Sequence, residues 1–260
     1  MDKNIGRLEY MVNGKTYILE SDLHTHTIYS HGKGTIEDNV LAAREKGITK
    51  LGITDHGPAH VTYGLDRNKY AEIREEINMF NNLFPEMEIL FGIEANILGA
   101  EGRIDVKSKE LSLFDYVCAG YHYGSIGGGT FKGLVNWAHN YFARTHQRAT
   151  KAQIRYNTAT IVAALEKYPI KFLTHPGDKA PVDLLEIAAV CAKVGTLIEI
   201  NTWHESLSVE DIKMMMIADI KFIVSSDAHT PDRVGDYFGA IDLLLDAGVD
   251  MDRVVNIKVE

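Results

Sequence analysis

Two histidines, His24 and His26, close the segment Asp22-Leu23-His24-Thr25-His26, directly after an apolar run. Alternate side chains on a strand share a face, so both imidazoles can grip one metal ion. Asp227 and His229 repeat that spacing near the other end of the chain. Between them, short apolar runs end in Thr54-Asp55-His56, Gly92-Ile93-Glu94, Tyr121-His122-Tyr123, Thr174-His175-Pro176 and Glu199-Ile200-Asn201. Imidazole together with carboxylate suits zinc, manganese or iron better than calcium or magnesium. The chemistry such a set supports is metal-assisted hydrolysis, in which bound cations deliver hydroxide at neutral pH.

Each residue taken singly has a plainer reading. A histidine after a strand is commonly a hydrogen-bonded structural residue, and an acid there commonly caps the next helix. Asp55 could orient an imidazole or serve as such a cap. His31, in the loop Ser30-His31-Gly32, could be a ligand or a turn residue. Taken together, however, seven histidines and two acids would need separate explanations, whereas one polynuclear site accounts for all of them. His60 and His204 follow the second and sixth apolar runs and are candidates to touch substrate, while His139 and His146 fall on helical stretches and are expected to face solvent.

The elements that must position these residues alternate. Strands are expected at Tyr17–Leu23, Lys50–Ile53, Glu88–Ile93, Tyr116–Tyr121, Lys171–Leu173, Leu197–Ile200 and Lys221–Val224. Helical patterns lie near 36–46, 68–82, 134–142, 150–167, 183–194, 208–217 and 235–247. Thr35 with Asp38, and Ser208, read as helix starts, and Gly47 as a stop. This alternation predicts a parallel sheet closed into a barrel, whose strand ends meet at one rim where such folds build their sites. In a closed barrel the first and last strands are neighbours, so His24, His26, Asp227 and His229 would meet. Before the alternation, Arg7–Val12 and Lys15–Leu19 flank Asn13-Gly14, a pairing suited to a type I′ hairpin turn.

Composition sets outer limits. The 260 residues carry 27 Lys and Arg against 36 Asp and Glu, a net charge of −9. That balance disfavours a general grip on nucleic acid but leaves an anionic small molecule, a nucleotide included, open where bound cations reverse the local sign. The length suits one domain. Cys118 and Cys191 form no CxxC pair and read as buried thiols. Neither a signal-like start nor a membrane-length apolar stretch is visible, so a cytoplasmic protein with no membrane partner is expected.

These motifs resemble those of the PHP (polymerase and histidinol phosphatase) family. Asp22-Leu23-His24-Thr25-His26-Thr27, Ile53-Thr54-Asp55-His56-Gly57, Gly92-Ile93-Glu94-Ala95-Asn96 and Ser226-Asp227-Ala228-His229 carry the likeness. Ala119-Gly120-Tyr121-His122 and Thr174-His175-Pro176-Gly177 add to it. The match runs from about residue 20 to the C-terminus and is strongest to stand-alone phosphatase-like members of the YcdX group. The resemblance implies a single-domain α/β fold, a distorted (β/α)7 TIM-like barrel over 20–260, with residues 1–19 as a hairpin extension. It also implies three divalent metals, with zinc expected and manganese or iron as alternatives. His24, His26, Glu94 and Asp227 would bind the first, and Glu94 would bridge to a second held by His122 and His175. His31, His56 and His229 would hold the third.

The expected activity is hydrolysis of a small phosphomonoester, such as histidinol phosphate or a nucleotide, by metal-activated hydroxide, with Glu94, Asp227 and His229 closest to the chemistry. Two other readings stand beside it: an amidohydrolase-like enzyme acting on an amide or lactone, and a non-catalytic regulatory metal-binding module. The segment after Gly124 adds Leu134, Trp137, Ala138, Tyr141 and Phe142 at helical spacing, surrounded by Lys132, Arg144, Arg148 and Lys151. It reads either as a lid whose cations, Arg144 and Arg148 foremost, reach a substrate phosphate, or as an amphipathic helix docked on the barrel.

Overall fold

The computed structural model describes residues 7–99, 101–146 and 149–260, with the side chains of 127–128 and 144–146 outside that description. The N-terminal hairpin forms as its turn residues require. Strands β1 (Glu9–Val12) and β2 (Lys15–Leu19) pair antiparallel across Asn13 and Gly14, both at positive φ. Next come β3 (Ser21–Thr25), α1 (Ile36–Glu45), β4 (Lys50–Ile53), α2 (Tyr70–Leu83), β5 (Glu88–Leu98) and β6 (Arg103–Ile104). They are followed by β7 (Tyr116–Gly120), α3 (Phe131–His146), α4 (Lys151–Lys167), β8 (Ile170–Leu173) and α5 (Leu184–Val194). The chain ends with β9 (Leu197–Asn201), α6 (Val209–Met215), β10 (Phe222–Ser225), α7 (Phe238–Asp246) and β11 (Ile257–Val259).

The expected α/β barrel is present. Parallel strands run in the order β10-β9-β8-β7-β5-β4-β3, and β6 pairs with β5 beside that path. The ring is nearly closed by a bridge between Thr25 and Ala228, with His26 N–H donating to Ala228 O at 2.8 Å. Helix starts at Thr35, Asp183 and Ser208 are capped by their own side chains, and Thr35 with Asp38 and Ser208 with Asp211 complete capping boxes. Among the described residues no helix is long and apolar enough to cross a membrane. Cys118 and Cys191 are buried free thiols.

Two differences from the sequence reading have clear causes. The run Tyr17–Leu23 is not one strand but breaks at Glu20, whose N–H donates to Asn256 O and whose carbonyl accepts from Thr49 N–H. The chain therefore leaves one sheet and enters another. The hairpin also gains an unforeseen third strand: β11 pairs antiparallel with β2, bringing the C-terminal segment to the N-terminal one.

The alternation of the strands explains which residues enter the barrel. Leu23, Tyr116, Cys118, Phe172 and Ile223 form one apolar cluster, with Leu90 and Leu197 against it. A second, larger cluster contains the intervening residues, such as Phe91, Val117, Ile198 and Val224, with the helices outside. Counting upward by twos from the first set leads to Glu94, His122, Glu199 and Asp227. On β3 the count breaks between Asp22 and Thr25, where the register with β4 shifts. That bulge lets Leu23 and His24, consecutive in sequence, both serve the interior.

Asp22 fastens the seam between first and last strands. Its carboxylate accepts from Ser226 Oγ at 2.5 Å, Ser226 N–H at 3.2 Å and Gly235 N–H at 2.8 Å. The group is fully buried, and burial pushes its pKa up despite these donors. Asp22→Ala removes the acceptor and leaves buried donors unpaired, so it should cost about 3 kcal/mol of stability. Urea unfolding measures this, and a loss below about 0.5 kcal/mol would show that the seam does not depend on Asp22.

Candidate metal centre

Glu94 is the hub. It lies on the barrel-facing row of β5, is fully buried, and meets imidazoles from four other elements. Its Oε1 lies 3.1 Å from His122 Nε2, 3.0 Å from His175 Nε2 and 3.4 Å from His24 Nε2. Its Oε2 lies 2.7 Å from His56 Nδ1 and 3.6 Å from His26 Nε2. The two carboxylate oxygens thus serve different sets of nitrogens. His56 Nδ1 and Glu94 Oε2 are close, yet neither has a hydrogen-bond partner. Two unpaired polar atoms at that distance behave as lone pairs directed at a common third point.

Asp227 makes the second focus. Its Oδ1 lies 3.0 Å from His26 Nε2 and 3.6 Å from both His24 Nε2 and His229 Nδ1, again without a hydrogen-bond partner. Three sets have ligand atoms within 4.8 Å of one another: His24, His26 and Asp227; His56, Glu94 and His122; His26, His56 and His229. His31 is half-buried and reaches the same cluster by its ring, 4.0 Å from that of His229 and 4.8 Å from that of His56. All nine candidate ligands of the sequence reading therefore converge. Unpaired buried oxygens and nitrogens facing one another are what divalent cations require, and these residues fit them.

Charge distribution agrees with that fit. Burial raises the carboxyl pKa of Glu94 and Asp227, but the imidazoles around them overcome it and hold both well below the ordinary range. Burial, reinforced by neighbouring imidazoles, takes His31 down to about 3 and His60 to about 4, and lowers His26 strongly. These rings are thereby kept neutral, the form that donates a lone pair. His24 differs: burial opposes protonation, but Asp227, Glu199 and Glu94 together raise its pKa well above the ordinary value. The acids favour positive charge at that point.

A second layer fixes the rings. His24 Nδ1 is 2.6 Å from Glu199 Oε1, which turns Nε2 toward Glu94 and Asp227. The other oxygen of Glu199 accepts from His175 N–H at 2.7 Å and Asn201 Nδ2 at 2.9 Å, and Asn201 also donates to Asp227 Oδ2 at 3.0 Å. Partners of this kind set tautomer and ring orientation. Sequence reasoning assigned Glu199 and Asn201 no role. Their signal was present: they stand two apart at a strand end, as His24 and His26 do. Asp55 does not orient an imidazole directly. It accepts from Thr27 N–H, Thr27 Oγ1 and Ser30 Oγ at 2.8, 2.6 and 2.5 Å, holding the loop that carries His31. His175 and Asp227 adopt positive φ, of 29° and 49°. Non-glycine residues reach that region at a cost of about 1–3 kcal/mol, and these two are candidate ligands.

Above the centre lies a cavity of about 240 Å³ lined by His31, His56, His122, His175, Asp227 and His229, with His60, Tyr63, Tyr123, Gly124, Lys179, Trp203 and His204 forming the rest of its wall. Trp203 stacks on His229 and Tyr63 on His31. Gly124 leaves room for the His60 ring, since a Cβ there would lie 2.0 Å from His60 Nε2 and the ring would have to shift. The sequence-predicted His60 and His204 therefore face the same space as the ligands. Lys132 does not: it lines a separate cavity with Phe131 and Tyr156. Helix α3 is docked through Trp137, whose Nε1 donates to Tyr123 O at 2.7 Å, and through Asn140, which binds Asn157 and Gln153 on α4. Arg148 and the side chain of Arg144 lie outside the described residues.

The PHP domain model matches residues 22–203. A protein of Citrobacter koseri named "Probable phosphatase" is 30% identical over 249 residues, covering 91% of this chain and 89% of its own. "Probable phosphatase YcdX" of Escherichia fergusonii is 29% identical over the same length and coverage. The structure of histidinol phosphate phosphatase from Lactococcus lactis, complexed with zinc, L-histidinol and phosphate, is similar in fold. The TM-score is 0.60 at 18% identity, over 89% of this chain and 94% of that one. The chain belongs to the PHP domain family, among members like YcdX.

A cage that binds cations only when folded must be stabilised by them. Saturating zinc or manganese at about 100 times Kd contributes about 2.7 kcal/mol and should raise Tm by about 5–10 °C over chelator-treated protein. Asp227→Ala should abolish most of that rise. Identical melting with and without metal would remove the metal reading.

Proposed function

We propose that this chain is a metal-dependent phosphoesterase that hydrolyses a small phosphomonoester, such as histidinol phosphate or a nucleotide, at a centre of three divalent cations. The ligands in this reading are His24, His26, His31, His56, Glu94, His122, His175, Asp227 and His229. Residues 20–260 constitute the metal-dependent barrel domain and 1–19 an extension. The observation that carries the reading is the division of labour at Glu94, whose two oxygens face different imidazoles within one buried cluster. The phosphatase names of relatives that match nine-tenths of the chain, and the zinc and phosphate of the Lactococcus lactis structure, support it. Zinc is the metal this ligand set suits first, with manganese or iron as alternatives.

Cations held by these histidines and acids would supply Lewis acidity toward phosphoryl oxygens and lower the pKa of water at neutral pH. The protein's own part is orientation and exclusion. Glu199 holds the His24 ring, and Asn201 holds the carboxylate of Asp227, so the ligand atoms are set before substrate arrives. His60 and His204 stand in the cavity wall, within the space a substrate phosphate or its leaving oxygen must enter. Tyr63, Tyr123 and Trp203 give that wall flat apolar faces, and the size of the cavity fits a small ester rather than a nucleic-acid duplex.

Glu94→Gln and Asp227→Asn should each lower kcat on a responsive phosphomonoester at least about 100-fold, since one carboxylate that would hold the cations is lost. Glu199→Gln should keep the fold and weaken metal affinity about 10–100-fold, read by competition with a chelating dye. A panel of phosphomonoesters, amides and lactones decides the reaction class. Turnover of amides or lactones alone would replace the phosphoesterase reading.

A further inference from the structure

The cavity over the histidines has a single lysine or arginine in its wall among the described residues, Lys179. Its side chain is only 15% exposed. The turn His175-Pro176-Gly177-Asp178 brings it there: His175 and Gly177 both take positive φ, and Asp178 N–H returns to His175 O at 3.2 Å. Ser206 Oγ donates to Pro176 O at 3.0 Å, tying this turn to the loop that carries His204.

The ammonium group of Lys179 pairs with the Asp178 carboxylate and lies 3.4 Å from His204 Nδ1. That same nitrogen is 3.1 Å from Asp178 Oδ2, so its proton can go to the acid instead. At most two of the three ammonium donors are thereby used. Among the described residues the ammonium has no third partner, which leaves one N–H for the cavity. On its far side His204 Nε2 lies 3.8 Å from Asp227 Oδ2, so the width of one imidazole separates the ammonium from the cage. Burial pushes the Asp178 carboxyl up, but His204 and Lys179 pull it further down, which keeps the pair ionic.

We propose that Lys179 is a substrate-contacting residue whose remaining N–H donates to a non-bridging oxygen of the bound phosphoryl group, with Asp178 and His204 as positioning residues that fix the ammonium. The inference rests on the phosphoesterase reading. A monoester dianion offers three strongly accepting oxygens, and a compact ammonium is suited to one of them. Since the phosphoryl group is common to substrate and product, Lys179 binds inorganic phosphate as well as ester. No such partner was visible in sequence, because Lys179 lies four residues past His175 and owes its place to the turn.

The test uses the metal-loaded full chain and inorganic phosphate as probe, followed by calorimetry. Lys179→Met should raise the phosphate Kd about 10–100-fold, the worth of one charge-assisted hydrogen bond, with metal stoichiometry unchanged. Lys179→Arg, which restores the charge, should stay within about threefold of the parent. KM for phosphomonoesters should rise in Lys179→Met whatever the leaving group. If that variant does not fold, Lys179→Gln carries the same expectation. A phosphate Kd within about twofold of the parent overturns the proposal, and so does loss of metal, which would make Lys179 a support of the cage. Parent protein that binds metal but neither binds phosphate nor cleaves any phosphoester fails the underlying reading instead.

Discussion

A carboxylate sealed away from water must be met by positive charge or by many donors, because desolvation alone costs several kcal/mol per ion. Glu94, Asp227 and Glu199 are all buried at one end of this barrel. His26 and His31 offer little charge, since burial first and neighbouring imidazoles second hold their pKa values low. The acids in turn raise the pKa of His24 well above the ordinary value. Divalent cations would meet the same demand at the positions toward which the unpaired oxygens and nitrogens face. Metal binding and the packing of this end of the barrel are thus one energetic problem.

The barrel solves the geometric half of that problem. Parallel strands deliver their ends to one rim, and alternation selects every second residue for the interior. Most ligands follow that count. Two places depart from it, and each departure has a device. A register shift on β3 admits His24 beside Leu23, and a positive φ redirects His175. The Asp22 carboxylate joins β3 to the segments after β10 across 204 and 213 residues of sequence. With the backbone bridge between Thr25 and Ala228, that seam brings the pair His24 and His26 to Asp227. Strain at the ligands is tolerable because tertiary contacts around them are fully formed.

Legibility in the sequence followed the range of the interaction. Strand and helix positions depend on nearby periodicity, and β4 and the capped starts of α1 and α6 appear where the pattern predicts. Asn13-Gly14 specifies its turn through two adjacent residues. The candidate ligands stand out in the sequence because their chemistry is unusual and repeated at strand ends. Glu199 was not, since an acid at a strand end has ordinary uses and its meaning depends on a ring 175 residues away. The strand β11 was hidden for the same reason: Ile257–Val259 is short, and its partner is the N-terminal hairpin. Asp55 shows the reverse error, a residue beside a ligand in sequence that serves the neighbouring loop in space.

Net charge is a poor guide to what such a centre binds. The chain is acidic overall, at −9, yet its cavity is suited to an anion. Fields at a few ångströms outweigh the sum over a surface that salt screens within about 8–10 Å. In the cavity wall one acid, Asp227, faces the candidate ligand cluster, and imidazole rings, aromatic faces and one ammonium form the rest. Cations gathered by the acids would present their excess charge outward to the substrate. The acids therefore act on an anionic ligand only through what they hold, and their number favours phosphate binding.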